Sequence, residues 1–143
     1  MDFSRAFDSV VHSKLLYKLE TVGLSGCLLN WIASFLASRK QCTVIDHCAS
    51  NVSDVISGVI QGSCIGPVLF LLFINDIADL FNNGDVTCKL FADDLKLYSA
   101  ITLHNSSTPN NISDAVNNLA KWSDQWQLSI NISKCHVLHL GRN

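Results

Sequence analysis

A chain of 143 residues with 48% hydrophobic and only 15% charged side chains suits one packed domain, able to bury about 68–70% of its unfolded surface, and falls outside the disordered class. Its formal charge of −2 excludes broad electrostatic attraction to a polyanion, which would have to be held through metal ions or through basic surface outside this sequence. Eleven of its 12 acids are Asp, a residue of turns, caps and hard-cation sites rather than of helix interiors.

In chain order, Ser13 is placed to cap a helix with Leu15, Leu16, Leu19 and Val22 on one face and Gly23 as its stop. Ser25 starts a second helix whose apolar positions Leu28, Leu29, Ile32, Phe35 and Leu36 keep the 3.6-residue period. From Gln41 to Ile56, β-branched residues predict two short strands about a turn near His47–Asn51. Gly58–Gly66 is a glycine-punctuated loop, and Pro67 opens a helix running to about Phe81, ended by Asn83-Gly84-Asp85. Thr87–Leu90 and Leu95–Ser99 read as strands with Ala92-Asp93-Asp94 at the turn between them. His104–Asn111, with Pro109, reads as a flexible loop. Ser113 then caps a helix carrying Val116, Leu119, Trp122 and Trp126; Leu128, Ile130 and Ile132 alternate, and Cys135–Leu140 predicts a closing strand. Strands and helices mixed without regular βαβ alternation indicate the α+β class.

Cysteines 27, 42, 48, 64, 88 and 135 show no CxxC spacing, and several lie in apolar or strand-like surroundings where a free thiol acts as a small hydrophobe. With no leader-like start, they read as reduced thiols of an intracellular protein of nucleus or cytoplasm, not a secreted one. The longest apolar run, Val68–Ile74, is too short to span a bilayer, so no membrane partner is expected.

Asp93 and Asp94 stand side by side in an apolar segment. Two such charges about 4 Å apart repel by roughly 4 kcal/mol at an effective dielectric of 20, so a cation is expected nearby. A turn presenting both, with a third carboxylate from another strand, supplies the hard oxygens that Mg²⁺ takes. A pair of ions about 3.5–4 Å apart serves phosphoryl transfer. For an isolated Asp-Asp the plain alternative is a solvated turn, and for Asp2 or Asp8 alone it is a helix cap.

Four blocks follow one another: Asp2-Phe3-Ser4-Arg5-Ala6-Phe7-Asp8, the stretch from Gly58 to Phe70 containing Gln61-Gly62, Phe91-Ala92-Asp93-Asp94, and Trp126 to Cys135 containing Lys134. In this order and at these separations they resemble palm motifs A to D of reverse transcriptases, and the wording from Gly66-Pro67 to Asp76 is most similar to the non-LTR (LINE-type) retrotransposon enzymes. The resemblance spans nearly the whole chain.

It implies a polymerase palm, a ferredoxin-like antiparallel sheet with helices on one face. Residues 1–143 would form a partial palm domain truncated before and after, with fingers, thumb and endonuclease absent. It further implies an RNA-directed DNA polymerase that adds deoxynucleotides to a DNA 3′ end by two-metal phosphoryl transfer. The implied cofactor is a pair of Mg²⁺ ions, for which Mn²⁺ can substitute. The implied partners are an RNA template, a DNA primer and deoxynucleoside triphosphates. Asp2, Asp93 and Asp94 match the catalytic metal ligands, Asp94 the less direct of the three. Lys134 matches the lysine that protonates the leaving pyrophosphate. Phe7 matches the aromatic beneath the nucleotide's sugar, and Gln61 and Gly62 the turn that touches nucleotide and template.

Each has a plainer reading: Phe7 as a core aromatic, Gln61-Gly62 as a helix entry, Lys134 as a surface lysine, and Trp122 and Trp126 as core. Ile60 stands where the family has proline, which leaves the φ of that turn unfixed. The chain alone is expected to be inactive. A non-catalytic retrotransposon remnant, with at most protein or RNA contacts, is the alternative. A small divalent-cation binder is a further one, which leaves Gln61-Gly62 and the Trp126–Lys134 block unexplained.

Overall fold

Leu15 and Leu19, one helical turn apart, are fully buried and form the inner face of α1 (His12–Thr21). The computed structural model describes residues 1–81, 86–100 and 108–141. They fall into two compact units, one of Phe7–Ile74 and one of Met1–Ala6 with Asn75–Asn143.

In the unit Phe7–Ile74, α1 starts earlier than Ser13, which lies exposed inside the helix. Val11 is the N-cap, without a side-chain cap; it pairs with Ser57 as an isolated antiparallel bridge, and that backbone pairing fixes the helix entry. The stop is as expected. Gly23, at φ +96, donates to the Glu20 carbonyl (3.0 Å) and Leu24 to that of Leu19 (3.0 Å), which is the Schellman pattern.

Next comes α2 (Gly26–Leu36), with Ser25 at its N-cap, packed on α1 through buried Ile32 and Leu36. The strands β1 (Lys40–Gln41) and β4 (Ser53–Asp54) pair antiparallel, as do β2 (Val44–Ile45) and β3 (Cys48–Ala49). The turn is Asp46-His47, both with positive φ (45° and 69°), one residue earlier than expected and of the primed kind that suits a tight hairpin. Every strand residue here is exposed, so the alternation of the sequence has no core to face. Finally α3 (Gly66–Ile74) enters through Gly66-Pro67 and packs on α1 with Leu69, Phe70, Phe73 and Ile74 buried. The buried Lys18 ammonium donates to the Phe73 carbonyl at 2.5 Å and lies 4.7 Å from the centre of its ring.

In the other unit, the helix predicted to run to Phe81 changes character at Asn75 and completes its course as a 3₁₀ segment, Asn75–Phe81. The predicted terminator Asn83-Gly84-Asp85 lies outside the described residues, as do residues 104–107 of the predicted loop, whereas 108–111, expected as loop, are helical. The hairpin β5 (Thr87–Phe91) and β6 (Asp94–Tyr98) is within a residue of expectation. By contrast α4 (Thr108–Trp126) begins well before Ser113, which is therefore an exposed helix residue and no cap. Pro109 sits in the first turn, where an N–H has no intrahelical partner to lose. The inner face of α4 is Ala115, Leu119 and Trp122; Val116 is exposed and Trp126 only half-buried. Ser123, also buried, donates to the Leu128 carbonyl (2.7 Å) and so ties the helix end to the next segment.

Among the described residues Cys135–Leu140 is not a strand, and Val137, Leu138 and Leu140 are exposed. A strand exists only by pairing, and the place beside Phe3 is taken instead by Ile130, flanked by hydrogen bonds to Ser129 and Asn131. The α+β character holds, with the strands among the described residues forming three two-stranded antiparallel ladders. All six cysteines are free, and Cys27, Cys42, Cys48 and Cys64 are exposed rather than packed as small hydrophobes. Among the described residues no helix is long and apolar enough to cross a membrane.

Candidate functional site

The β5–β6 ladder closes on the pair Phe91–Asp94, which leaves Ala92-Asp93 as a two-residue turn. Ala92 is held at φ +50, a left-handed conformation costing roughly 1–2 kcal/mol for a residue with a Cβ. Five cross-strand pairs hold it there. The turn sets Asp93 at the tip of the hairpin. Asp94 opens β6 and is exposed, while its neighbour Leu95 is buried, as period-2 geometry requires.

Asp2 reaches the same hairpin through its backbone. Met1 and Leu95 exchange both main-chain hydrogen bonds (2.6 and 3.1 Å), so the antiparallel register, carried one step further, sets Asp2 opposite Asp94. On its other side Asn131 donates to the Asp2 carbonyl (2.8 Å) and Ser4 donates to that of Ser129 (2.7 Å). Phe3 turns inward against Trp122, with centroids 6.1 Å apart, so Asp2 faces the opposite way.

There the Lys134 ammonium meets it, Nζ to Oδ2 at 2.9 Å, from the 3₁₀ turn Ile132–Lys134. Lys134 is 66% exposed and Asp2 only 18%. The hydrogen bond from Lys134 holds the Asp2 carboxyl below its ordinary value, against a smaller opposing effect of burial. Lys134 is pushed up, first by its hydrogen bond to Asp2 and then by charge, with Asp93 and Asp94 adding to it. Asp2 thus pairs directly with Lys134, while Asp93 and Asp94 favour its charged form from further away.

That arrangement fixes a pH window. Asp2, its pKa lowered by folding, contributes stability that is present above about pH 4 and fades as pH falls through the depressed value. Lys134, raised, contributes stability below about pH 10 that fades as pH climbs through the elevated value. The pair is therefore intact between those limits. In a carbon-detected NMR titration the Asp2 carboxyl is expected to titrate below 3.8, and Lys134→Met is expected to return it toward 3.8. An unchanged Asp2 titration in that variant would refute the pairing.

The hard oxygens of Asp2, Asp93 and Asp94 suit a divalent ion, and the convergence of their charges on Lys134 is the electrostatics such an ion would meet. They are not drawn into a closed ligand group: among the described residues no three His, Cys, Asp or Glu side chains are set to hold a metal ion. The physical reason is mutual repulsion. Lys134 forms its direct ion pair with Asp2, and Asp93 and Asp94 act on it through charge alone.

The unit Phe7–Ile74 carries the remaining candidates. Phe7 is half-buried, one face stacked on Phe70 with centroids 4.2 Å apart and planes at 24°. It therefore has both a core contact and an accessible rim. Gln61 and Gly62 are exposed in the turn after Ile60. The turn after Ile60 is closed by Ser63, whose N–H (3.2 Å) and Oγ (2.7 Å) both donate to the Ile60 carbonyl. Gly62 has φ +81 and no heavy atom within 4 Å of a would-be Cβ, leaving open space above the turn.

Asp8, read from sequence as a helix cap, is none; its Oδ1 accepts from Gln61 Nε2 at 2.8 Å. Sequence reasoning gave no role to Asp8, Ser57 or Ser63 in shaping this turn. The available signal was the placement of two small hydroxyl residues around the glycines of the second block.

Residues 1–142 match the family described as reverse transcriptase (RNA-dependent DNA polymerase). Similar curated proteins include the RNA-directed DNA polymerase from mobile element jockey of Drosophila funebris, 33% identical over 140 residues. The jockey enzyme of Drosophila melanogaster is 28% identical over 140 residues. The probable RNA-directed DNA polymerase from transposon X-element of Drosophila melanogaster is 29% identical over 137 residues. Each match covers 94% of this chain and 15% of the relative, so the chain spans about 15% of the length of these proteins. With the four blocks in order and a family match over residues 1–142, the chain belongs to the reverse transcriptase (RNA-dependent DNA polymerase) family and is similar to those of LINE-type mobile elements.

Proposed function

We propose that this chain is the palm portion of an RNA-directed DNA polymerase, which extends a DNA primer on an RNA template with deoxynucleoside triphosphates. One observation carries the reading: paired main-chain hydrogen bonds between Met1 and Leu95 set Asp2 beside the hairpin that carries Asp93 and Asp94, inside a chain that matches the family from residue 1 to 142. Asp2, Asp93 and Asp94 would hold the divalent ions. Two Mg²⁺ or Mn²⁺, when bound, supply activation of the attacking oxygen and neutralisation of the leaving one.

The other residues act by position. Lys134 keeps a proton at Nζ for the leaving pyrophosphate, general-acid help worth about 10²–10⁴-fold. Its ammonium is charged at neutral pH as an exposed lysine is, and the carboxylates push its pKa further up. The accessible rim of Phe7 excludes a 2′-hydroxyl, and stacking on Phe70 keeps the ring from yielding. The open turn at Gln61-Gly62 receives nucleotide and template, its glycine allowing close backbone approach.

Basic surface for the duplex would come from the rest of a longer polymerase, so the chain alone is expected to be inactive, acting in its complete form in nucleus or cytoplasm. The second reading is a non-catalytic remnant. It is favoured by the Asp2–Lys134 pair, which satisfies the acid without metal.

Purified chain given Mg²⁺ or Mn²⁺, an RNA template, a DNA primer and labelled deoxynucleotides separates enzyme from remnant. Incorporation that disappears in Asp93→Asn supports a self-sufficient polymerase core. The same chain joined to the remaining length of a jockey-type polymerase tests the palm reading, and no Asp93-dependent incorporation in either setting establishes the remnant.

A further inference from the structure

The turn that carries Gln61 is stitched to the segment Phe7–His12. Val59 donates to the Phe7 carbonyl (2.8 Å), Gly58 to that of Val10 (2.7 Å), and Ser57 Oγ to that of Asp8 (2.8 Å). The His12 Nε2–H donates to the Gly58 carbonyl (2.8 Å). Gly58 itself sits at φ +90, and a Cβ there would lie 2.8 Å from Asp8 Cα and 2.9 Å from its carbonyl oxygen. Two backbones this close leave Asp8 little freedom to shift. Its carboxylate then accepts from Gln61 Nε2 at 2.8 Å.

A carboxylate only accepts, so the Gln61 amide can meet Asp8 one way round, with its NH₂ inward and Oε1 outward. An exposed hydrogen bond between mobile side chains is a weak orienting device, because it must overcome rotamer entropy. Here both main chains are already fixed, and only the side-chain torsions remain to be ordered.

We infer that Asp8 is a positioning residue for Gln61, turning its carbonyl oxygen outward so that the turn selects a ligand offering a hydrogen-bond donor, such as a hydroxyl or amino group of a nucleotide. The inference rests on the reading of Gln61 as a nucleotide contact, and it adds a direction to that contact. Asp8 itself need not touch the nucleotide. Removing it leaves Gln61 present but free to present either end of its amide.

The test uses the full chain labelled with ¹⁵N, with Asp8→Asn, Asp8→Ala, Gln61→Ala and the double variant. Asparagine keeps the shape of Asp8 yet pairs with an amide either way round. Asp8→Asn is therefore expected to shift the Gln61 side-chain NH₂ resonances while the backbone amides of Gly58 and Val59 stay in place. Unmoved Gln61 resonances, or Gly58 and Val59 amides that move as well, would overturn the inference.

Titration with dTTP in the presence of Ca²⁺ reads the consequence. Asp8→Ala is expected to lower affinity about ten-fold, the size of a lost charge-assisted hydrogen bond, and to have no further effect beside Gln61→Ala. An equal loss in both backgrounds would show that Asp8 does not act through Gln61. Were dTTP not to bind the unaltered chain, the nucleotide reading of Gln61 would fall, and the amide shifts alone would decide whether Asp8 orients it.

Discussion

Asp2→Asn is expected to weaken Mn²⁺ binding by more than about 100-fold, read by electron paramagnetic resonance of the free ion. Losing an outer partner of a metal ligand commonly weakens binding about 10–100-fold, and removing a ligand's charge outright should exceed that range. The substitution keeps the side chain's shape and one carbonyl oxygen, so the backbone bonds of Asp2 to Asn131, and of its neighbour Met1 to Leu95, remain. What it removes is charge. Lys134→Gln is expected to act in the opposite direction and tighten Mn²⁺ binding, because the ion then no longer competes with an ammonium 2.9 Å from Asp2 Oδ2. Asp2→Asn with unaltered Mn²⁺ affinity would remove Asp2 from the ligand set, and Lys134→Gln that weakens binding would mean Lys134 supports the ion rather than displaces it.

The second large effect is on folding. In Gly66→Ala the new methyl would overlap the carbonyl oxygen of Ile60, and it would lie 2.9 Å from Ser63 Oγ and 3.1 Å from the Ile60 carbonyl carbon. These atoms belong to the turn that Ser63 holds, and Ser63 Oγ also accepts from the Gly66 N–H at 3.0 Å. Backbone cannot step aside as a flexible side chain can. Overpacking of this kind typically costs about 1–3 kcal/mol, and with a main-chain obstacle the upper end is expected. That corresponds to a fall in melting temperature of roughly 10 °C for a chain of this size, measured by circular dichroism.

Gly62→Ala is the internal control. Nothing lies within 4 Å of its Cβ, so only the positive φ of +81° is penalised, by about 1 kcal/mol. Equal losses in the two variants would refute the packing argument. A small loss of stability in Gly62→Ala together with a large loss of dTTP binding would mark Gly62 as a position kept open for ligand.

Much of the local structure was legible in the residue order. The runs on either side of Ala92-Asp93 gave a hairpin whose first strand starts where expected and whose other three strand ends differ by a single residue. Gly23 stopped α1 by the αL route that only glycine takes cheaply, and Gly66-Pro67 opened α3. Helix starts were less legible. Ser13 and Ser113 have the right chemistry for a cap, yet α1 is entered through a bridge from Val11 to Ser57 and α4 begins at Thr108. A cap residue signals only where the chain before it turns away from helix, and that is decided by what the preceding residues pair with. The predicted strand Cys135–Leu140 failed for the same reason: alternation describes a surface but does not provide a partner ladder.

By itself the sequence pointed to the family, through four short blocks whose residue types and order are specific, and it supplied the candidate side chains for the proposed chemistry. Only the tertiary structure decided what those side chains touch. The ion pair between Asp2 and Lys134 and the hydrogen bond from Gln61 to Asp8 each join residues far apart in the chain. Such contacts leave no periodic trace, because helix and strand patterns report which face of an element is buried, whereas a long-range polar contact depends on register and on the few atoms that end within about 3 Å of one another.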